Sequence, residues 1–548
     1  MKLEGGKLLN HNEYNFSLLE TECDGNIFKK NIDQFNKQLC VLIYSPYFQF
    51  DIETYRKKLN DLSVNICELY ITNQLSNIEF DIPIIIALYD RNEDILILIR
   101  DQLGIIPLYW TLYNNNLEYS ISAKSLVKQK LCSNIINVQT IDLFLTCQYI
   151  PGSRTIWKDI NRLPAGHVLI KNFRKDTLNI NKYWDLNFKD ENHGNYDIQS
   201  TLLLNCNNYP NVKSLSLLSG GIDSSINLAN LAKLNREVVP LTVAFKENEF
   251  DESEVARRYS KHLGFTHKSV EFNSSDLFNL EDMLRSFEEP CGDQAAMATY
   301  IGINKVNTGE YNLLYSGEGG DELFGFPRRF SQVKNENPQN NSDILTTYIK
   351  SLEYLNTDLR FSLYNEDMKK YIDKEHLFDM FNDLIEQSNA DSVVSKLAYI
   401  QYKTWLVDCV IAKDRYAAKA NNMVACFPLL SKNTVNSMLS LIKNDACEKL
   451  EEKSFIKSIY KTILPDYILS KPKHTFEVPA KNWFDNKEFI TNLFDKIFSN
   501  SNLLWEIIDV NKVKILLQEH IDKKKNYSLQ LWQILSLALW IKNNDINI

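Results

Sequence analysis

A chain of 548 residues, 44% of them hydrophobic and with a formal charge of −9, is long enough for two unequal cores and too apolar to be disordered. Its mild acidity excludes nonspecific nucleic-acid binding, which needs clustered Lys and Arg to neutralise phosphates. Residues 1–6 hold no apolar core of signal-peptide length, no uninterrupted apolar run reaches about 18 residues, and the ten cysteines, Cys23 to Cys447, show no C-x-x-C spacing. The expectation is a cytoplasmic protein with reduced, buried thiols, no membrane partner, no zinc site and no disulfide framework.

The first 185 residues or so are rich in short β segments. Val41–Tyr44 and Ile84–Tyr89 read as strands, and Ile95–Ile99, following the turn-like Asp90–Asp94, predicts a hairpin. Polar residues from Lys189 to Asn195 read as the linker. Beyond them the strand-like Val212–Leu217 runs into Leu218-Ser219-Gly220-Gly221-Ile222-Asp223-Ser224-Ser225, a loop of the form S-G-G-x-D-S-S that opens a helix. This is the grammar of a pyrophosphate loop: glycines allow close approach of the backbone, hydroxyls and helix-terminal N–H groups cradle anionic oxygens, and Asp223 can hold a divalent metal against them. Val238–Phe245 reads as a further buried strand, and Tyr311–Leu314 as another. The latter feeds Tyr315-Ser316-Gly317-Glu318-Gly319-Gly320-Asp321-Glu322-Leu323-Phe324-Gly325, which presents Glu318 and Asp321 to a metal or a reacting group. Alternating helix and strand predict a doubly wound parallel sheet, whose ligands bind outside the carboxyl ends of the strands. The remainder, to Ile548, is mainly helical by periodicity and is expected to cover the site.

With both loops in place the chain resembles the asparagine synthetase family, whose C-terminal domain activates a carboxylate as an acyl-adenylate and releases pyrophosphate. The likeness extends to Asp251-Glu252-Ser253, Leu263-Gly264-Phe265-Thr266-His267, Lys413-Asp414-Arg415 and Leu464-Pro465 with Lys473 and Phe476. In the N-terminal half, Arg100-Asp101-Gln102-Leu103-Gly104-Ile105-Ile106-Pro107-Leu108-Tyr109-Trp110 resembles the R-D-x-x-G-x-x-P-L-Y-Y signature of the family's glutaminase domain. Leu163-Pro164-Ala165-Gly166-His167 and Tyr183-Trp184 resemble its closing hairpin.

The resemblance implies an α/β fold in two parts. Residues 1–188 form a degenerate glutaminase-like domain of the Ntn-type αββα kind, and residues 196–548 a doubly wound α/β ATP-pyrophosphatase domain with a helical extension. It implies ATP and Mg2+ as cofactors, with Asp223 and Asp321 as metal ligands. Ser219, Gly220, Gly221, Ser224, Ser225 and Ser316 are expected around the phosphates, and Leu218, Val243 and Gly317 against the adenosine through their backbones. Glu318 is the expected base or amine-positioning group, and Lys473 the residue that steadies the pyrophosphate and the transition state.

Two departures narrow the activity. Glutamine-hydrolysing members carry a catalytic cysteine after the initiator methionine; here that position is Lys2, the nearest cysteine is Cys23, and nothing in the first 80 residues or so resembles a glutamine clamp, so no glutaminase activity is expected. Asn422-Met423-Val424-Ala425-Cys426-Phe427-Pro428-Leu429 aligns with a G-x-E-x-R-x-P-F segment, with Val424 in place of the glutamate and Cys426 in place of the arginine. In β-lactam synthetases that glutamate assists deprotonation of the attacking nitrogen, and a valine cannot. The chain is most similar to lasso-peptide macrolactam synthetases, which join a peptide's N-terminal amine to an Asp or Glu side chain and imply a peptide substrate and a leader-peptidase partner. An intermolecular amide ligase, an ammonia-dependent asparagine synthetase-like enzyme, a β-lactam synthetase-like cyclase and an inactive binding protein stay open as alternatives.

Overall fold

The computed structural model describes residues 27–34, 37–78, 80, 82–114, 116–189, 197–245, 252–306, 309–325, 328–443, 453–471, 484, 487–498, 502–544 and 546. The chain divides into two compact units: residues 1–134 with 159–185, and residues 135–158 with 186–548. The segment 135–158, though it precedes the linker in sequence, is therefore built into the second unit.

In the first unit β1 (Ile27–Gln34), β2 (Lys37–Tyr44), β3 (Ile85–Asp90) and β4 (Ile95–Arg100) form one antiparallel sheet with β8 (His167–Asn172) and β9 (Thr177–Lys182), in the order β1-β2-β3-β4-β8-β9. The hairpin across Asp90–Asp94 is present, with Asp90 opposite Ile95. Strands β5 (Tyr109–Tyr113), β6 (Asn116–Ser120) and β7 (Asn161–Arg162) make a second sheet. Successive side chains of a strand face opposite ways, so the large sheet has two apolar faces. Val41, Ile43, Ile86, Leu88, Ile97 and Ile99 pack with Phe48, Tyr55, Leu59 and Ile66 of the helix Phe48–Ile71. On the other face Leu42, Ala87, Leu98 and Leu169 pack with Leu108, Leu117, Tyr119 and Leu163, which join the second sheet to the first. A short helix, Ala123–Lys128, packs on β6.

The R-D-x-x-G signature is a knot in this unit. The buried Arg100 guanidinium donates to the carbonyls of Ile106 (2.8 Å), Leu163 (2.6 Å) and Gly104 (2.7 Å), and Tyr183 Oη donates to the Arg100 carbonyl at 2.9 Å. Asp101 Oδ1 accepts the amides of Leu103 and Gly104 at 3.1 and 2.8 Å. The signature thus ties its own turn to the Leu163–His167 segment.

The second unit carries a parallel sheet of β10 (Ser214–Leu217), β11 (Val238–Ala244), β12 (Lys268–Glu271), β13 (Leu313–Tyr315) and β14 (Val424–Cys426), in the order β12-β11-β10-β13-β14. From β10 the chain steps outward through β11 to β12, then returns to β13 and steps the other way to β14. The helix Ile222–Lys233 packs on β10, Ser253–His262 on β11, Gln294–Val306 on β11 and β12, and Ile411–Ala420 on β14 and on Gln294–Val306. The order reverses between β10 and β13, and a crevice at such a switch point is where open α/β sheets bind ligands. The eight cysteines among the described residues are free and buried, and no described helix is long and apolar enough to cross a membrane.

Candidate active site

Strand β10 ends at the switch point and delivers Leu218 to Gly221 into the helix Ile222–Lys233. Gly220 has φ +72°, a left-handed conformation that L side chains rarely adopt, and it turns the loop back over the helix terminus. Ser219 Oγ accepts the Gly221 amide at 3.2 Å, lies 3.3 Å from Ser224 Oγ, and Ser224 Oγ donates to the Gly221 carbonyl at 3.2 Å. The result is a small ring of hydroxyls and amides at a helix N-terminus, which favours an anion. Leu218 is held by backbone hydrogen bonds, its amide to Leu241 O at 2.9 Å and its carbonyl from Thr242 Oγ1 at 2.5 Å. Val243 lies on β11 nearby, and Ser225 is fully buried beneath the loop.

The second loop leaves β13 beside the first. Gly320 carries no side chain because there is no room for one: a Cβ would sit 2.3 Å from the Asp223 carboxyl carbon. Gly317 lies against the Ser224 backbone in the same way, so the loops interlock along their glycines. Ser316 Oγ accepts the Glu318 amide at 3.1 Å and donates to Asp414 Oδ2 at 2.6 Å, tying the loop to the helix Ile411–Ala420.

This interlock brings Asp223 and Asp321 together on one cation, the ammonium of Lys453. Lys453 Nζ is bonded to Asp223 Oδ2 and lies 2.5 Å from Asp321 Oδ1. The lysine is only 7% exposed and caps the helix Ser454–Ile459 with φ +61°. Burial alone would lower its pKa, but Asp223 and then Asp321 outweigh that and hold the ammonium well above its ordinary value. Two carboxylates that share a cation over a phosphate loop fit magnesium, which commonly takes one or two protein carboxylates and completes its shell with phosphate oxygens. No group of three or more His, Cys, Asp or Glu side chains suited to a metal occurs among the described residues. Lys471 adds a second cation at the loop, its Nζ 3.4 Å from Ser219 O and paired with Glu252. Lys473 and Phe476 lie outside the described residues, as do Lys2 and Cys23.

Glu318 faces a different partner. Its carboxylate is bonded to Lys413 Nζ, which also reaches Asp414 Oδ1 at 3.3 Å. Burial pushes the Glu318 pKa up to about 8 against the pull of Lys413, with Asp414 and Glu322 adding to the rise, although its side chain is still 35% exposed. Burial also lowers Lys413, but Asp414, Glu318 and Asp293 together raise it well above its ordinary value. A carboxyl with a raised pKa and an open edge can take a proton from an amine. On the neighbouring strand, Cys426 is buried opposite Tyr315 and Val424 is half-buried, so β14 brings neither acid nor base to the crevice.

The two loops were visible in the sequence; Lys453, Lys471 and Asp293 were not. Lys453 follows two glutamates and reads as a solvated charge, and only its place between Asp223 and Asp321 distinguishes it.

Comparison with known proteins agrees with this geometry. Residues 210–542 match the asparagine synthase family model, and residues 83–184 match the glutamine amidotransferase domain model. The chain is 23% identical over 500 residues to asparagine synthetase [glutamine-hydrolyzing] 1 of Bacillus subtilis (strain 168), covering 84% of this chain and 77% of that one. It is 22% identical over 498 residues to a putative asparagine synthetase [glutamine-hydrolyzing] of Mycobacterium tuberculosis (strain ATCC 25618 / H37Rv), covering 83% and 75%. It is 25% identical over 355 residues to amidase chyE of Penicillium rubens, covering 58% and 50%. A model matched across more than half of the chain, together with the phosphate loop and its paired carboxylates, shows that this chain belongs to the asparagine synthase family of ATP-dependent amide-forming ligases.

Proposed function

We propose that the chain adenylates a carboxylate, releasing pyrophosphate, and joins it to an amine of the same peptide, closing a macrolactam ring as lasso-peptide synthetases do. The observation that carries the adenylating half is the sharing of one cation by Asp223 and Asp321, with Asp223 on the same loop-to-helix turn as the hydroxyls of Ser219 and Ser224. A carboxylate oxygen attacks the α-phosphorus of ATP, and the bond to the bridging oxygen of pyrophosphate breaks. Ser219, Ser224 and the Gly221 amide bind the departing oxygens, with Lys453 and Lys471 beside them. Magnesium held by Asp223 and Asp321 offsets their charge when bound. The amine nitrogen then attacks the acyl carbon and passes its proton to Glu318, and AMP leaves with the C–O bonding pair.

The intramolecular half rests on what the sequence replaces. Val424 stands where, by the resemblance, a β-lactam synthetase carries its acid. Holding amine and activated carboxyl on one chain raises their effective concentration by about 10⁵-fold or more, so little further activation of the nitrogen is needed. The names of the relatives favour a second reading, in which ammonia or a separate amine is the nucleophile.

The test is mass spectrometry of candidate leader-free precursor peptides bearing an Asp or Glu a few residues from the N-terminus, incubated with protein, ATP and magnesium. Loss of one water, one pyrophosphate per ring and resistance to aminopeptidase are expected, with glutamate release from glutamine at background. Pyrophosphate release only with free amino acids or ammonia would replace this reading with the second one.

A further inference from the structure

Next to Asp321, the helix Gly320–Phe324 carries another carboxyl, that of Glu322. Glu322 is 7% exposed; its Oε1 accepts from Trp405 Nε1 at 3.0 Å and its Oε2 meets no donor among the described residues. The phenol of Tyr402, 5% exposed, also has no hydrogen-bond partner among the described residues. Near the same indole, the Arg329 guanidinium lies 5.7 Å from the Trp405 ring centroid and pairs with no carboxylate among the described residues. Tyr149 packs edge-on to that ring at 5.6 Å, its hydroxyl bonded to Thr404 Oγ1 at 3.3 Å. Trp405 opens a π-helical segment, Trp405–Val410, a form that is uncommon and concentrates at functional sites.

An unmatched carboxyl oxygen and an unmatched phenol are each costly inside a protein, and a guanidinium normally finds a carboxylate. Here acid and cation sit around one indole without closing on each other. The helix Gly320–Phe324 packs on Val393–Lys403, which carries Tyr402, and the Glu322 charge reaches that phenol, so a small dipolar group can serve the cluster: an oxygen that accepts from Arg329 and a nitrogen that donates to Glu322 Oε2. The backbone of an amino acid carries both.

We propose that Arg329, Glu322, Tyr402 and Trp405 form a recognition site for an amino-acid backbone unit of the substrate, its carboxyl or carbonyl oxygen toward Arg329 and its nitrogen toward Glu322. The site rests on the ligase reading only for the ligand's being substrate. Glycine and N-acetylglycine N-methylamide are the probes, offered to the full chain and followed by saturation-transfer NMR.

At least one probe binds, and binding weakens by about tenfold in Arg329→Met and in Tyr402→Phe while ATP binding is unchanged. Tyr402→Phe removes a hydroxyl with no described partner, so folding does not obscure the result. Glycine alone binding identifies a free amino acid as the source, and the amide alone a peptide. If neither probe binds, or binding is undiminished in both variants, the cluster is a structural one satisfied by water and the proposal fails. Failure of ATP–pyrophosphate exchange with probe binding intact would remove the ligase reading and leave the site.

Discussion

Under the proposed mechanism Lys453 occupies the place of the metal between Asp223 and Asp321, which makes the two cations competitors. With φ +61° and little exposure, the lysine is held in a backbone region that side chains usually avoid, a cost tolerated mainly where function requires it. Lys453→Met leaves Asp223 and Asp321 facing each other without their shared cation. The variant is expected to bind Mn2+ without nucleotide more tightly than wild type, by electron paramagnetic resonance, and to lose about 10²-fold or more in pyrophosphate release. Unchanged metal affinity would show that the lysine does not hold the metal position.

Asp101 offers a separate test in the other unit. It is 4% exposed, its Oδ2 meets no donor among the described residues, and burial raises its pKa from 3.8 to about 6 against the pull of Arg100. The folded state therefore binds this proton more tightly than the unfolded chain. Stability is lost as pH rises from the unfolded value through about 6, and the penalty is fully present above that. Asp101→Asn keeps the Oδ1 acceptor and removes the charge, so it should match wild type near pH 4 and exceed it at pH 8 by up to about 3 kcal/mol. Urea denaturation at the two pH values, followed in the N-terminal unit, measures the difference.

Elements were legible where local pattern and chemistry coincide. The strand–loop–helix at Leu217–Ser225, the hairpin at Asp90–Asp94 and the strand before Ser316 are set by short-range residue types, so they appear in the sequence as they do in the fold. What stayed hidden depends on contacts between distant segments. A π-helical turn at Trp405–Val410 has the same apolar residues as an α-helix, and β14 is only three residues long and pairs because β13 offers it an edge. Lys453 and Glu322 are single charges whose role comes from the carboxylates and the indole that meet them. The interlock of the two loops yields its own prediction at this scale. Gly320→Ala places a methyl 2.3 Å from the Asp223 carboxyl carbon, so the loops must separate. Pyrophosphate release should fall at least about tenfold, and because Gly320 is itself buried the thermal midpoint should fall by about a few degrees as well. A fully active Gly320→Ala would mean that the loops need no such contact.

At the scale of the whole molecule, the division of the chain does not follow its sequence order. Residues 135–158 belong to the second unit, where Asp142 Oδ1 accepts from Arg360 Nε at 2.7 Å and from Tyr364 Oη at 2.8 Å. Trp157 packs edge-on to Trp540 at 5.4 Å, and Ile136 bridges to Trp157 within the segment. Arg360 is buried, so removing Asp142 leaves a buried guanidinium with only Glu353, at 3.5 Å, as an ion-pair partner among the described residues. Breaking a buried pair in this way costs about 3–5 kcal/mol, and loss of the Trp157 contacts with Trp540 adds to it. A fragment comprising residues 186–548 is therefore expected to be insoluble or molten, although it contains both acidic loops and the parallel sheet. Adding the peptide 135–158 should restore cooperative unfolding and ATP binding. In the full chain, Asp142→Ala should lower the stability of the second unit by about 3 kcal/mol and leave the N-terminal unit unchanged. A 186–548 fragment that folds and binds ATP unaided would show that the segment is an accessory and not part of the core.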